Sequence, residues 1–413
     1  MLNYLRNKPL APVFFVMFMD NFSFAMIYSI FGPLFLDPVI NFVDPESSIM
    51  KRNIMLGFAL GLFPLGQLFG SPFIGDLSDK YGRKKTFYIS ILAVAAGIFL
   101  TGFAIFLKSF STLIILRFIT GFFSGNLSIC FACIADLSKD DRSKTRNFAM
   151  VVVITGLSWM LSILIGEVLS DNSVSQHFNP SIPFFVAALM LLLSWFGIYL
   201  FFKESHIAKN KVHFDLTKGL KDILAAVKIK SLRTLNISYM FFILGWGLVF
   251  SWMSPYAMQK FQVTKISANI ILFSLGVPWI FGGYFLNKRL AKSMSPIKIA
   301  ITGSALLSLF IFVILFSKNY ATLAFGFLAG SIPAAFLWPN LLNAISGAAS
   351  EEIQGKVFGI TQSFQSVGFI VSTALAGFLA GFNITSLLVA AAVFQACCFA
   401  CLLVFRYINS DEL

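Results

Sequence analysis

Gly75-Asp76-Leu77-Ser78-Asp79-Lys80-Tyr81-Gly82-Arg83-Lys84-Lys85 is the stretch on which the reading of this chain turns. Two acids and four bases fall within eleven residues, and residues 53–75 before them and 86–107 after them hold no Asp, Glu, Lys or Arg up to the acid at 76. An apolar run of about 20 residues is the length that crosses a hydrocarbon core. The segment therefore reads as a tight polar loop joining two membrane spans. Gly82 can supply the turn and Gly75 a close helix contact. Asp79 can accept hydrogen bonds from a facing helix N-terminus, where the dipole favours an anion. Arg83 can pair with an acid at the membrane edge.

The rest of the sequence repeats the pattern. Of 413 residues, 58% are apolar and only 12% charged, with fifty phenylalanines. So few charges cannot wet the surface of a soluble domain, which excludes a soluble enzyme, a disordered chain and a disulfide-stapled secreted domain. Further uncharged runs lie at 147–166, 181–202, 234–259, 266–287, 299–317, 319–350 and 357–405. The last holds two helices, with Gly381-Phe-Asn383 as the turn between them. Two more spans, about 11–36 and 111–135, carry one charge each, Asp20 and Arg117. The fold expected is all-α: a polytopic membrane protein with twelve transmembrane helices in two six-helix halves. The first span is too long and too acidic for a cleaved signal peptide.

The net charge of +13 does not point to nucleic acid. With the N-terminus in the cytoplasm, 24 of the 31 basic residues fall in inner segments and 6 in outer ones. Basic residues concentrate on the cytoplasmic side of membrane proteins, so both termini are expected there. The expected division is 1–202 for the first half, 203–233 for a cytoplasmic linker and 234–413 for the second half. Leu216, Leu220, Ile223, Leu224 and Val227 give the linker one apolar helical face, suited to the membrane surface. The five cysteines lie in apolar runs and the three histidines outside them, so no metal, cofactor or intramembrane histidine relay is expected.

The loop from Gly75 to Lys85 resembles the signature loop of the major facilitator superfamily, in spacing, glycines, acid and basic run. The resemblance implies that Asp79 faces the start of helix eleven near Gly355, and that Arg83 pairs with Asp136 at the end of helix four. It makes Gly75, Asp76, Asp79, Gly82, Arg83, Lys84 and Asp136 a cytoplasmic gate motif. A worn echo, Gly283-Tyr-Phe-Leu-Asn287-Lys288-Arg289, stands at the equivalent place in the second half, as repeats require. Leu113-x-x-x-Arg117-x-x-x-Gly121-x-x-x-Gly125 resembles the helix-four pattern of the drug:proton antiporter branch, the branch of the tetracycline exporters. Helix five departs from that branch: it has Gly156 and Gly166 but no Gly-Pro pair, which keeps import by proton symport open.

A charge in the hydrocarbon costs on the order of 3 kcal/mol or more, so it marks function by default. Asp20 stands ~13 Å into span one and Arg117 ~9 Å into span four at 1.5 Å per residue. We read Asp20 as a proton site tuned by Arg117, with a static Asp20–Arg117 ion pair as the alternative. In this family the cargo cavity lies near the midplane, and the polar or aromatic residues expected there are Asn21, Tyr28, Asn126, Tyr239, Trp246, Trp252, Trp338, Asn340, Asn343, Gln362 and Gln365. Such a set suits a small amphipathic organic molecule. The expected partners are that molecule, protons and the bilayer, handled by a monomer in a bacterial inner membrane. The expected function is proton-coupled export of a drug or of a metabolite such as a siderophore. A nutrient symporter is the alternative, and a non-transport membrane protein a more distant one.

Overall fold

The computed structural model describes residues 10–138, 141–205, 217, 221, 224, 230–348 and 354–408. Apart from Leu224, which is exposed, the apolar face of the linker lies outside the residues whose side chains are described, as does the neighbourhood of Gly355. The described chain is helical, with no strand among its elements. Twelve helices are long and apolar enough to cross a membrane: Ala11–Leu36, Ile49–Tyr81, Arg83–Phe106, Phe110–Ile134, Met150–Ser170, Ile182–Phe201, Leu232–Phe261, Lys265–Leu290, Pro296–Leu315, Tyr320–Gly347, Thr361–Phe382 and Ser386–Ile408. They are called spans one to twelve below. Large apolar residues such as Phe58, Phe99, Leu193, Phe285 and Phe325 stay exposed on their outer faces. That is the surface a lipid solvent requires, and the backbone bonds are closed within each helix as the bilayer demands. The protein is an integral, multi-pass membrane protein.

Helix ends follow local chemistry. Spans four, eight and ten start at Ser109, Thr264 and Asn319, each of whose side chains accepts a bond from the backbone N–H three residues on. Span six begins with Pro183 next to its N-terminus, where the missing N–H would have had no partner.

The chain clusters into two compact units, Met1–Pro45 with Leu62–Lys218, and Glu46–Gly61 with Gly219–Leu413. The start of span two therefore groups with the second unit. There Asn53 and Gln259 exchange side-chain hydrogen bonds of 3.2 and 2.9 Å, and Asn53 also donates to the Ala380 carbonyl at 3.2 Å.

Within the first unit, spans two and four pass backbone to backbone. A Cβ on Gly66, Gly70 or Gly121 would fall within the main chain of the facing helix at Phe118, Phe122 or Phe63. Small residues let transmembrane helices approach this closely. Span four is not the continuous helix expected at 111–135. It breaks into Phe110–Phe123 and Asn126–Leu137, with Ser124 and Gly125 between them out of helical geometry. Freed backbone groups in a membrane need neighbours, and Gln67 of span two donates to the Ser124 carbonyl at 3.3 Å. Span eight has its own irregularity, a π-helical segment Phe281–Leu286, where a Cβ on Gly282 would meet the Ile332 carbonyl at 2.5 Å. Such bulges replace the regular i to i−4 ladder locally.

Candidate functional site

The break in span four sets the first group of site residues. Asn126 is the first residue of the second half-helix and is fully buried. Its Nδ2 donates to Asp20 Oδ1 at 3.0 Å, and its Oδ1 accepts from the buried Ser90 hydroxyl of span three. Asp20 is half-buried. Its neighbour Asn21 donates to the Met17 carbonyl at 2.9 Å and accepts from Trp159 Nε1 of span five at 3.4 Å. Tyr28, buried, stands edge-on to Phe24 with centroids 5.6 Å apart.

Arg117 goes elsewhere. It is 2% exposed, and its guanidinium carbon lies 4.5 Å from the Phe63 ring centroid and 5.7 Å from that of Phe31. A guanidinium over an aromatic face gains about 0.5–2 kcal/mol, more when desolvated. Asp20 Oδ1 takes its hydrogen bond from the Asn126 amide, while the guanidinium of Arg117 stands over the Phe31 and Phe63 rings. The two charges sit on the same unit with separate surroundings, a neutral amide for one and aromatic rings for the other.

The second group surrounds the loop between spans two and three. Gly82 has φ +93° and ψ 158°, in the region that favours glycine. Arg83 Nη1 donates to Asp79 Oδ1 and to Ser78 Oγ, each at 2.8 Å, while its Nε reaches Asp136 Oδ2 at 3.4 Å. The arginine thus ties the end of span two to the end of span four. Asp76 is buried. Gly75 differs from expectation. A Cβ there would meet nothing within 4 Å among the described residues, so the close helix contact assigned to it is not present.

Sequence reasoning missed one member of this group. Span three has no side-chain cap of its own at Gly82. Glu204, three residues past the end of span six at Phe201, supplies it. Its Oε1 accepts from the Arg83 N–H at 2.9 Å and its Oε2 from the Lys84 N–H at 3.0 Å. Lys84 Nζ in turn donates to the Tyr199 carbonyl at 3.1 Å. An acid at a helix N-terminus both satisfies free N–H groups and complements the dipole. The available signal was an acid directly after span six, on the same face as an uncapped helix start.

The second unit offers amides and rings. Tyr239, fully buried on span seven, donates to Gln365 Oε1 at 2.7 Å and accepts from Trp338 Nε1 at 3.0 Å. Trp279 lies 6.4 Å from Trp338, centroid to centroid. Trp246 stacks on Phe327 at 5.5 Å and 13°, and Trp252 is wholly buried in the core of the unit. Asn340 bonds to Asn287, the position that echoes Asp79. Gln362 is half-buried and Asn343 exposed. The structure thus brings Tyr239, Trp338 and Gln365 together, and takes Trp246, Trp252 and Asn340 into separate contacts.

Comparison with known proteins adds a family. The family model described as Major Facilitator Superfamily matches residues 10–288 and 235–412. The chain is 27% identical over 361 residues to the major facilitator superfamily domain-containing protein 10 of Bos taurus, covering 80% of this chain and 75% of that one. It is 23% identical over 393 residues to the tetracycline resistance protein, class H, of Pasteurella multocida, covering 92% and 90%. Its fold is similar to the crystal structure of the human organic anion transporter MFSD10 (TETRAN), with a TM-score of 0.74 at 18% identity, over 96% of this chain and 99% of that one.

Proposed function

Because the chain belongs to the major facilitator superfamily of membrane transporters, we propose that it exports a small amphipathic organic molecule in exchange for protons, with Asp20 as the residue that carries the proton. The observation behind this reading is the partner of Asp20, a neutral amide on a broken helix. A carboxylate clamped by a guanidinium stays ionised, whereas one facing an amide can be charged or neutral with modest change in its surroundings. Discontinuous helices at mid-membrane are where transporters of this kind gather substrate and coupling ions.

Arg117 serves in this scheme as a buried positive charge held over Phe31 and Phe63, on the same unit as Asp20. Tyr239, Trp338 and Gln365 offer stacking and hydrogen bonds on the second unit. The Arg83 cluster acts as a gate at the cytoplasmic side, tightening and loosening as the transporter alternates. The excess of basic residues in alternate loops supports cytoplasmic termini, and the likeness to a tetracycline resistance protein supports a bacterial inner membrane and outward movement.

Import by proton symport is the second reading. Residues 141–170 form one unbroken helix without the Gly-Pro pair of the exporter branch. Inside-out vesicles with an imposed pH gradient separate the two, using tetracycline and a panel of amphipathic organic anions and cations. Export by antiport gives cargo uptake driven by an acidic lumen. Uptake driven by an alkaline lumen means symport, which under an acidic cell exterior runs toward the cytoplasm, and indifference to the gradient removes proton coupling altogether.

A further inference from the structure

The partners of Asn126 place three polar groups in line behind Asp20. Asn126 Nδ2 donates to Asp20, Asn126 Oδ1 accepts from Ser90, and Ser90 Oγ also stands 2.9 Å from the Thr86 carbonyl one turn back along span three. A serine hydroxyl carries one proton, so Ser90 serves Asn126 or Thr86 at any moment, not both. Ser90 and Asn126 are fully buried, so their partners come from the protein. An amide can present either its oxygen or its NH2 to a given neighbour by a half-turn about its last bond.

We propose that Asn126 and Ser90 form a two-state hydrogen-bond relay that resets each time Asp20 gains or loses a proton. The inference rests on the reading that Asp20 carries the coupled proton. With Asp20 ionised, the Asn126 NH2 faces the carboxylate and the Ser90 hydroxyl faces the Asn126 oxygen. When water delivers a proton to Asp20 Oδ1, two donors confront each other. A half-turn of the Asn126 amide then turns its oxygen to the new acid O–H and its NH2 to Ser90 Oγ. The Ser90 proton swings to the Thr86 carbonyl. The O–H on Asp20 is the one covalent bond made, and its loss to water on the other face reverses every step. Each group is satisfied in both states without moving a helix. In a buried network this matters, because a single unpaired donor or acceptor costs about 1–3 kcal/mol.

The surroundings leave this role to the amide and hydroxyl. Among the described residues, the titratable or charged groups on the elements around Asp20 are Tyr28 on its own helix, Cys130, Cys133 and Asp136 on the half-helix of Asn126, Arg117 on the other half of span four, Arg83, Lys84, Lys85 and Tyr88 on span three, Glu167 on span five and Tyr199 on span six. Cys130 donates to the Val13 carbonyl, and Gly166, next to Glu167, packs against Met26 and Ser29, more than one turn along from Asp20. Ser90 and Asn126 are positioning residues, acting through Asp20.

The test is pH-difference infrared spectroscopy on the full chain in liposomes, with and without 13C-labelled asparagine. A carboxylic-acid band should titrate in the native protein and vanish in Asp20→Asn. An asparagine side-chain carbonyl band should shift with the same midpoint, and should also vanish in Asp20→Asn. In Ser90→Ala that amide shift changes while Ser90→Thr restores it. A carboxyl band that titrates with no asparagine band following it overturns the relay and leaves Asp20 as proton carrier. No titrating band assignable to Asp20 overturns the parent reading instead.

Discussion

The first unit keeps charge inside the membrane and the second does not. Spans one and four carry Asp20 and Arg117, whereas the uncharged runs of spans seven to twelve are filled with amides, hydroxyls and aromatic rings. The same contrast holds at the equivalent loop regions after spans two and eight. Asp79, Arg83 and Asp136 form an ionic cluster in the first unit, and at the echoing place in the second Asn287 meets Asn340 through neutral amides. Close helix packing is shared by both, at Gly70 against Phe122 and at Gly282 against Ile332. Architecture has therefore been kept on both sides while ionic chemistry has been kept on one. Packing is what twelve spans need to stand, and the buried charges are additional to it.

The strongest way to break this comparison is to attack the shared part. Gly70→Val would drive side-chain carbons into the Phe122 backbone, with a penalty above about 4 kcal/mol, and detergent-solubilised protein should lose its monodisperse peak in size-exclusion chromatography. Gly75→Ala, whose Cβ meets open space, should change thermal stability by less than about 0.5 kcal/mol. Charge is the next target. Asp20→Asn should abolish accumulation driven by a pH gradient while leaving cargo exchange across the vesicle membrane, whereas Gln365→Leu in the second unit should weaken cargo binding by about tenfold, the worth of one lost hydrogen bond of ~1.4 kcal/mol. Equal loss of gradient response in both variants would erase the distinction between the units.

The loops give a subtler contrast. Arg83→Ala removes a partly buried, charge-assisted contact to two carboxylates, and transport rates should fall about tenfold. Arg289→Ala alters an exposed side chain in the echo loop and should stay within about twofold. Glu204→Ala should have a modest effect on folding. Loss of the cap on span three should lower stability by about 1 kcal/mol, a drop of a few degrees in a thermal melt.

Much of the fold was open to reading because the bilayer imposes a length and the loops impose a sign. Asp20 and Arg117 stood out for the same reason, as ionisable residues in runs that exclude them. The break at Ser124-Gly125 was harder. The two residues are small, sit beside glycines that also signal packing, and produce no gap in hydropathy. The partnership of Asp20 with Asn126 spans 106 residues and depends on how three helices are rotated. Hydroxyls and amides within spans have many possible partners, and rotation chooses among them. The placement of Arg117 over the Phe31 and Phe63 rings depends on the same rotation, and no sequence spacing marks it.

Glu204 also sets an order for synthesis. The carboxylate that closes the start of span three lies 121 residues downstream of Arg83. At about 5–20 residues per second, the ribosome takes roughly 6–24 s to deliver it after Arg83 has been made. For that interval spans three to six are entering the bilayer while the Gly82 turn lacks its final ligand. The loop between spans two and three is completed only when the last helix of the unit emerges, so a chain stalled before the end of span six holds it without its cap.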